Sequence, residues 1–294
     1  MESKKIPAIW KCANISPMYK KGRKDEVGNY RPVSLTCILC KILESIIRDK
    51  IMDHFMSNKL FTNRQFGFLK GRSTVTQLLQ ILDDWTEALE TGGRIDVIYT
   101  DFEKAFDKVP HKRLISKLRS YKLHQSIVDW IENFLTDRKQ RVKVSGEFSC
   151  WIKVLSGIPQ GSILGPLLFI IFINDLVDIS TDNIKLYLFA DDAKMYCHIR
   201  DTDDIDSLQT SINKFVDWTE KWQVKLNTDK CKVLSIYHRR YTNRGVEPHY
   251  VMNNISLEEV AEIKDLGVYY DSLLLFDKHI SEKVKKSIHD AGYY

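Results

Sequence analysis

From Ile184 to Ile199 the sequence is apolar strand material broken at one place, Ala190-Asp191-Asp192-Ala193. Lys185 and Lys194 are the other charged residues before His198. Such a stretch folds as a hairpin whose arms are buried and whose tip carries two adjacent carboxylates. An ordinary tight turn would use Gly or Asn there. Asp-Asp also occurs at 83–84 and 203–204, so the dipeptide by itself means little. Asp83-Asp84 falls in mid-helix and reads as a solvated face. Asp203-Asp204 falls at a helix start, where acids are favoured by the helix dipole.

A second acid completes the pattern. Ile95, Val97 and Tyr99 alternate along Arg94–Asp101, which predicts a strand running into Asp101. If this strand neighbours the hairpin, Asp101, Asp191 and Asp192 converge. Unneutralised carboxylates would repel and take up protons. A divalent cation removes the conflict, and an oxygen-only donor set selects Mg²⁺. Two such ions, roughly 3.5–4 Å apart, suit phosphoryl transfer.

The rest of the chain supports a mixed fold. Residues 38–56 predict an amphipathic helix, with Ile38, Leu39, Ile42, Ile46 and Phe55 near helical spacing. A second helix is expected from Thr74 to Leu89 on a stripe of Leu78, Leu82, Trp85 and Leu89, stopped by Gly92-Gly93. Residues 112–136 read as helix, Val142–Val154 as a strand pair around Ser145-Gly146, and Ser162–Val177 as a buried helix. Residues 204–224 are expected to be helical, with Leu208, Ile212, Phe215, Trp218 and Trp222 inward, and Cys231–Tyr237 a strand. Strands and helices mix without regular alternation, so the class is α+β.

At 294 residues and 44% hydrophobic content the chain can bury a substantial core. The net charge is +5, and residues 1–30 hold seven Lys/Arg against three acids, which suits a polyanionic partner. Six scattered cysteines, including the Cys37-Ile38-Leu39-Cys40 run, lack a second pair or His at zinc spacing and read as free thiols of a reducing compartment. No secretory h-region follows Met1, and the longest apolar stretch, Ile163–Ile173, is too short to span a bilayer. The expected localisation is intracellular, nuclear or cytoplasmic, with no membrane partner.

These residues resemble the reverse transcriptases of non-LTR (LINE-type) retrotransposons. The matching segments are Gly28–Leu35; Gln65–Phe68 with Gly71–Thr74; Thr100–Asp107; Ser156–Ser162 with Leu164-Gly165-Pro166; Phe189–Asp192; Leu226–Lys230; and Asp265–Val268 with His279-Ile280. They follow the family's order over nearly the whole chain. Leu69 departs from it, standing where many relatives carry a basic residue.

The resemblance implies a right-hand polymerase. Residues 1–271 would be the reverse transcriptase domain, with about 1–95 as fingers and about 96–271 mainly palm with finger elements. The palm would be an antiparallel sheet packed on helices. Residues 272–294 would start a truncated thumb, a single helix near His279–His289, expected to be poorly ordered because an isolated short helix is marginal in water.

The implied activity is RNA-directed DNA polymerisation: two-metal nucleotidyl transfer adding dNTPs to a primer 3′-OH on an RNA template. Its partners would be the RNA template, a DNA primer and dNTPs, and its cofactor two Mg²⁺ ions, or Mn²⁺ in their place. The resemblance assigns Asp101, Asp191 and Asp192 to catalysis and metal binding, with the Phe102 carbonyl as a further ligand. It assigns Lys20, Lys21, Arg31, Phe106, Gln160, Gly161 and Lys230 to the nucleotide. Phe106 would exclude a ribose 2′-hydroxyl, and Lys230 would lie near the pyrophosphate. The alternatives are an inactive relic that only binds nucleic acid, and a group II intron maturase.

Overall fold

The computed structural model describes residues 6–181, 183–238 and 249–291; Lys4 and Lys5 of the basic N-terminal stretch lie outside them. The elements begin with β1 (Cys12–Tyr19), β2 (Tyr30–Leu35), α1 (Ile38–Ser57), α2 (Thr74–Glu90) and β3 (Arg94–Thr100). Next come α3 (His111–Ser120), α4 (Gln125–Leu135), β4 (Lys139–Val144), β5 (Glu147–Phe148), β6 (Ile152–Lys153) and α5 (Gly165–Phe172). The hairpin β7 (Ile184–Phe189) and β8 (Asp192–Ile199) leads to α6 (Thr202–Trp222) and β9 (Lys232–Tyr237). The chain closes with β10 (Val251–Met252), β11 (Ile255–Ser256), β12 (Glu258–Glu259), β13 (Glu262–Asp265), β14 (Val268–Asp271) and α7 (Asp277–Ala291).

The chain divides into two interleaved units. One comprises residues 1–63, 103–175 and 219–225; the other comprises 64–102, 176–218 and 226–294.

In the first unit β1 pairs antiparallel with β2 and parallel with β4, which carries β5 and β6. α5 is buried throughout, from Leu167 to Phe172. Its N-terminus is capped from a distance: the Glu44 carboxylate on α1 accepts from the Ser162 hydroxyl and from the backbone N–H of Ile163 (2.8 Å) and Leu164 (3.3 Å). An anion at this end satisfies orphan N–H groups and opposes the helix dipole. That explains a fully buried glutamate, and it corrects the expected face of α1. The buried side is Cys40, Glu44, Ile47, Ile51 and Phe55. Of the expected stripe, Ile38, Leu39, Ile42 and Ile46 are exposed. The Cys40 thiol on the buried side is pushed up to about 12 by burial and then by Glu44. It is therefore protonated and inert, and all six cysteines are free thiols. The single helix expected over 112–136 is two, α3 and α4, broken at Lys122, which adopts φ 56°.

In the second unit one sheet runs β12-β9-β3-β8-β7. β3 lies between β9 and β8, antiparallel to both, and β7 pairs antiparallel with β8. The central strand is buried on both faces, as the near-continuous burial of Arg94–Val97 reflects. α2 covers one face with Leu78, Ile81, Trp85 and Leu89 against Ile95, Val97, Tyr187, Tyr196, Leu234 and Ile236. Asp84, read above as solvated, instead accepts from the Tyr196 hydroxyl (2.6 Å) and pairs with Lys185 (2.8 Å); Asp83 is exposed.

The helix expected near His279–His289 is α7. The Asp271 carboxylate accepts the N–H groups of Leu273, Leu275 and Phe276, and Lys278 pairs with Glu262, anchoring the start of α7 to the β13–β14 hairpin. Ile280, Val284 and Ile288 lie along its exposed side. Among the described residues no helix is long and apolar enough to cross a membrane.

Candidate active site

All three acids singled out in the sequence lie in the second unit, at one end of its sheet. β3 and β8 pair through Thr100↔Ala193, and β7 and β8 through Phe189↔Asp192. The next residue after Thr100 is Asp101, so it meets the tip of the β7–β8 hairpin. The tip is tight: Ala190 adopts φ 54° and is buried. The end of β3 is pinned on its other side, where the Asp101 carbonyl accepts from Asn227 N–H (2.8 Å) and Asp101 N–H donates to Cys231 Sγ (3.4 Å). Phe102 bridges to Leu226, and its ring stacks on Phe215 at 5.8 Å.

The electrostatics are those of a site wanting a cation. Partial desolvation pushes the Asp192 carboxyl up to about 6, and Asp191, Asp265 and Asp101 add to this by like-charge repulsion, although its side chain still reaches solvent. Lys230 Nζ lies 3.5 Å from Asp101 Oδ2, with both side chains well exposed. Such a contact is weak and readily exchanged. The donors are oxygens on short side chains, which fits a hard divalent ion such as Mg²⁺. Among the described residues the acids do not close into a preformed three-ligand cage, so an ion would have to draw them in.

Two supports were not anticipated as parts of the site. The first is Gln65, fully buried, whose Oε1 accepts from Ala190 N–H (3.0 Å) and Gly67 N–H (2.7 Å). Its segment runs beside β7, with Phe66 N–H on the Leu188 carbonyl and Leu188 N–H on that of Arg64. Gln77 Nε2 also donates to Leu188 O (2.9 Å). Gln65-Phe66-Gly67 was visible in the sequence as a motif block, but its task, holding the Asp-Asp turn, needs the fold. The second is a buried ion pair between Lys194 and Asp265, 4% and 6% exposed. Lys194 is next but one to Asp192, and Asp265 lies in the β13–β14 turn motif. Both line a cavity of about 150 Å³ with Asp101, Asp192 and Lys230. Burial lowers the Lys194 pKa, against the raising effect of Asp265.

Gly67 has no room for a side chain. A Cβ there would sit 2.3 Å from the backbone nitrogen of Ala190. Gly67→Ala is therefore expected to cost about 1–3 kcal/mol, as overpacking does, and to displace the Asp191-Asp192 turn. Loss of extension activity exceeding the loss of folded protein, seen by denaturation and assay together, would bear this out. A variant with full specific activity would show that the turn tolerates the shift.

The other residues assigned to the nucleotide lie in the first unit, with Lys230 the exception. Lys20, Lys21 and Arg31 are exposed, at or just after the β1–β2 hairpin strands. Gln160 donates to Asp107 Oδ1 (2.9 Å), and Gly161, at φ 114°, lies so near β2 that a Cβ would be 2.7 Å from Ser34 O. Phe106 is half-buried and stacks on Phe169 at 4.5 Å.

This sheet, with carboxylates at the end of its central strand and at an adjoining hairpin tip, defines a polymerase of the right-hand class, and the chain belongs to the reverse transcriptase (RNA-dependent DNA polymerase) family, matched over residues 19–282. Within that family it is similar to polymerases of non-LTR elements, as the motifs led us to expect. The RNA-directed DNA polymerase from mobile element jockey of Drosophila melanogaster is 29% identical over 284 residues, 94% of this chain and 30% of that protein. The jockey polymerase of Drosophila funebris is 31% identical over 288 residues, again 94% and 30%. A probable RNA-directed DNA polymerase from transposon BS of Drosophila melanogaster is 28% identical over 293 residues, 96% and 32%. The chain thus spans about a third of the length of these curated relatives. Among solved structures, apo telomerase from Candida tropicalis truncated from its C-terminal domain superposes with a TM-score of 0.61 at 12% identity, over 92% of this chain and 55% of that one. A likeness at that identity shows the shared fold.

Proposed function

We propose that this chain catalyses RNA-directed DNA synthesis, adding deoxynucleotides to a primer 3′-hydroxyl on an RNA template. The observation that carries the reading is the placement of Asp101 beside the Asp191-Asp192 turn in a chain of this family. Asp101, Asp191 and Asp192, with the Phe102 carbonyl, would hold Mg²⁺ or Mn²⁺. When bound, the ions supply Lewis-acid stabilisation of charge on attacking, bridging and leaving oxygens.

The chain's own groups do the positioning. Gln65 and Gln77 fix the hairpin that presents Asp191. Lys230, exposed next to Asp101, would offer a positive charge to a phosphate. Lys20, Lys21 and Arg31 supply exposed cations for the triphosphate, Arg31 with a bidentate fork. Gln160 and Gly161 supply a close backbone approach to the nucleotide. The test is primer extension on an RNA template with dNTPs and Mg²⁺. Failure of the purified, folded chain to extend while it still binds the template would favour the inactive relic.

Two expectations follow from single residues. Asp192 holds its proton in the folded chain up to about pH 6, whereas an unfolded Asp releases it near pH 4. Raising pH through that window therefore removes stability, and a bound cation restores it. The rise in melting temperature on adding Mg²⁺ should be larger near pH 7.5 than near pH 5. A rise independent of pH would sink the assignment of Asp192 to the metal. Phe106→Val should admit ribonucleotides: opening the space beside the sugar removes a clash whose cost can exceed the ~1–3 kcal/mol of a missing methylene. Comparing dNTP and NTP incorporation decides it, and unchanged selectivity would leave Phe106 as the packing partner of Phe169 and nothing more.

A further inference from the structure

Residues 106–111, which carry Phe106 and open α3, are laced to the loop of residues 156–160, which carries Gln160. The backbone supplies part of the seam: Gly157 N–H donates to the Val109 carbonyl and Ile158 N–H to that of Phe106, each at 2.8 Å. The Ser156 hydroxyl adds a bond to the Asp107 carbonyl (3.1 Å). The two segments approach so closely that a Cβ on Gly157 would lie 2.4 Å from the Asp107 carbonyl oxygen. The far end of the loop rests on β2, where Ser34 N–H donates to the Gln160 carbonyl (2.6 Å).

Two side chains complete the seam, and each does something the backbone cannot. The Asp107 carboxylate accepts from Gln160 Nε2 through Oδ1 (2.9 Å). An ionised carboxylate only accepts, so it selects the Nε2 end of the Gln160 amide and turns the Oε1 end away. His111, the first residue of α3, donates from Nε2 to the Gly157 carbonyl (2.7 Å). A carbonyl only accepts, so the ring carries a proton on Nε2. Burial lowers the His111 pKa, against the raising effect of its bond to Gly157. The ring is therefore neutral at pH 7. Neither side chain belongs to the apolar core: both are half-buried, and α3 is seated by Leu114, Ile115 and Leu118. What the two side chains fix is the loop.

We propose that Asp107 and His111 are positioning residues for nucleotide addition: Asp107 sets the orientation of the Gln160 amide, and His111 holds the Gly157 carbonyl. The loop then meets an incoming nucleotide already in place. This role rests on the polymerase reading and on the assignment of Gln160 to the nucleotide. A loop ordered in advance spares the nucleotide the cost of ordering it. The benefit falls on KM more than on the rate of the chemical step.

The test uses the whole chain. Asp107→Ala removes the acceptor, Asp107→Asn keeps an acceptor without the charge, and Asp107→Glu keeps the charge but moves it by one methylene. His111→Phe removes the donor, and His111→Gln restores an N–H at similar reach. Backbone hydrogen exchange at Gly157 and Ile158 reports the state of the loop and needs no activity. Exchange there should be about tenfold faster in Asp107→Ala and His111→Phe, the scale of one lost hydrogen bond, and near wild type in Asp107→Asn and His111→Gln. Melting temperature shows which variants are folded. If Asp107→Ala is not, Asp107→Glu takes its place, with the same expected direction.

Steady-state primer extension then reads the consequence. KM for dNTP should rise about tenfold in Asp107→Ala and about fivefold in His111→Phe, with kcat within about threefold of wild type. Asp107→Asn and His111→Gln should return KM close to the wild-type value. A loosened loop with an unchanged KM overturns the proposal and leaves both residues as struts of the fold. So does an unchanged exchange rate. An Asp107→Asn as impaired as Asp107→Ala overturns it too, because lost charge would then be the cause. A folded wild type that extends no primer is a different result: it ends the polymerase reading, and this role with it.

Discussion

Replacing Asp191 with Asn is expected to lower primer extension at least about a thousandfold while leaving RNA binding nearly intact. The reason is chemical. Asn keeps the shape but not the charge, so a cation held partly by that carboxylate is lost or misplaced. Metal stabilisation of phosphoryl transfer is worth several kcal/mol, and each 1.36 kcal/mol is about tenfold in rate. Asp101→Asn should behave alike, because Asp101 ends the neighbouring strand and faces the same hairpin tip. RNA affinity rests on lysine and arginine contacts to phosphates and responds to salt instead. Asp83→Asn is the control: its side chain is exposed on α2, and its extension rate should match the wild type. Single-turnover extension with saturating template measures all three. A sizeable residual rate in Asp191→Asn would remove that residue from the metal site.

Asp265→Ala is expected to be the most destabilising single change near the site, by about 3–5 kcal/mol. It removes the partner of Lys194, which is 4% exposed, and leaves an uncompensated buried ammonium. Burial already lowers the Lys194 pKa in the native protein, and without Asp265 the amine should give up its proton more readily. The folded variant then binds fewer protons than the unfolded chain, so its deficit should shrink as pH rises. Denaturant titration of the variant across neutral to alkaline pH checks both the size and the sign. The double change Lys194→Met/Asp265→Leu should recover most of the stability, since apolar replacement of a buried pair is often neutral or better. Failure of that rescue would mean the pair does more than neutralise itself, for example by placing Asp192.

Much of the site could be read from the chain itself. Asp191 and Asp192 interrupt two buried strands, and Asp101 ends a third. Period-two alternation and the lack of any packing use for adjacent acids were enough to single them out. The order of elements was legible for the same reason, that local periodicity reports local structure. Where periodicity served two faces at once, it misled. α1 carries apolar residues almost all round, and the stripe that looks regular, Ile38–Ile42–Ile46, is the exposed one. The opposite side, Cys40, Ile47, Ile51 and Phe55 with Glu44, is buried, and Glu44 meets the start of α5 more than a hundred residues away, a contact no local pattern records. The break at Lys122 was likewise hidden, since two short helices and one long one share the same spacing.

The sequence by itself determined the element types, the acids that matter and, through its motifs in order, the family. Only the tertiary structure decided which groups hold those acids in place. Gln65 reaches Ala190, and Lys194 finds Asp265. Each of these is a contact between segments apart in the sequence, and their worth depends on the desolvation that folding imposes, which the residues do not carry until the chain has folded.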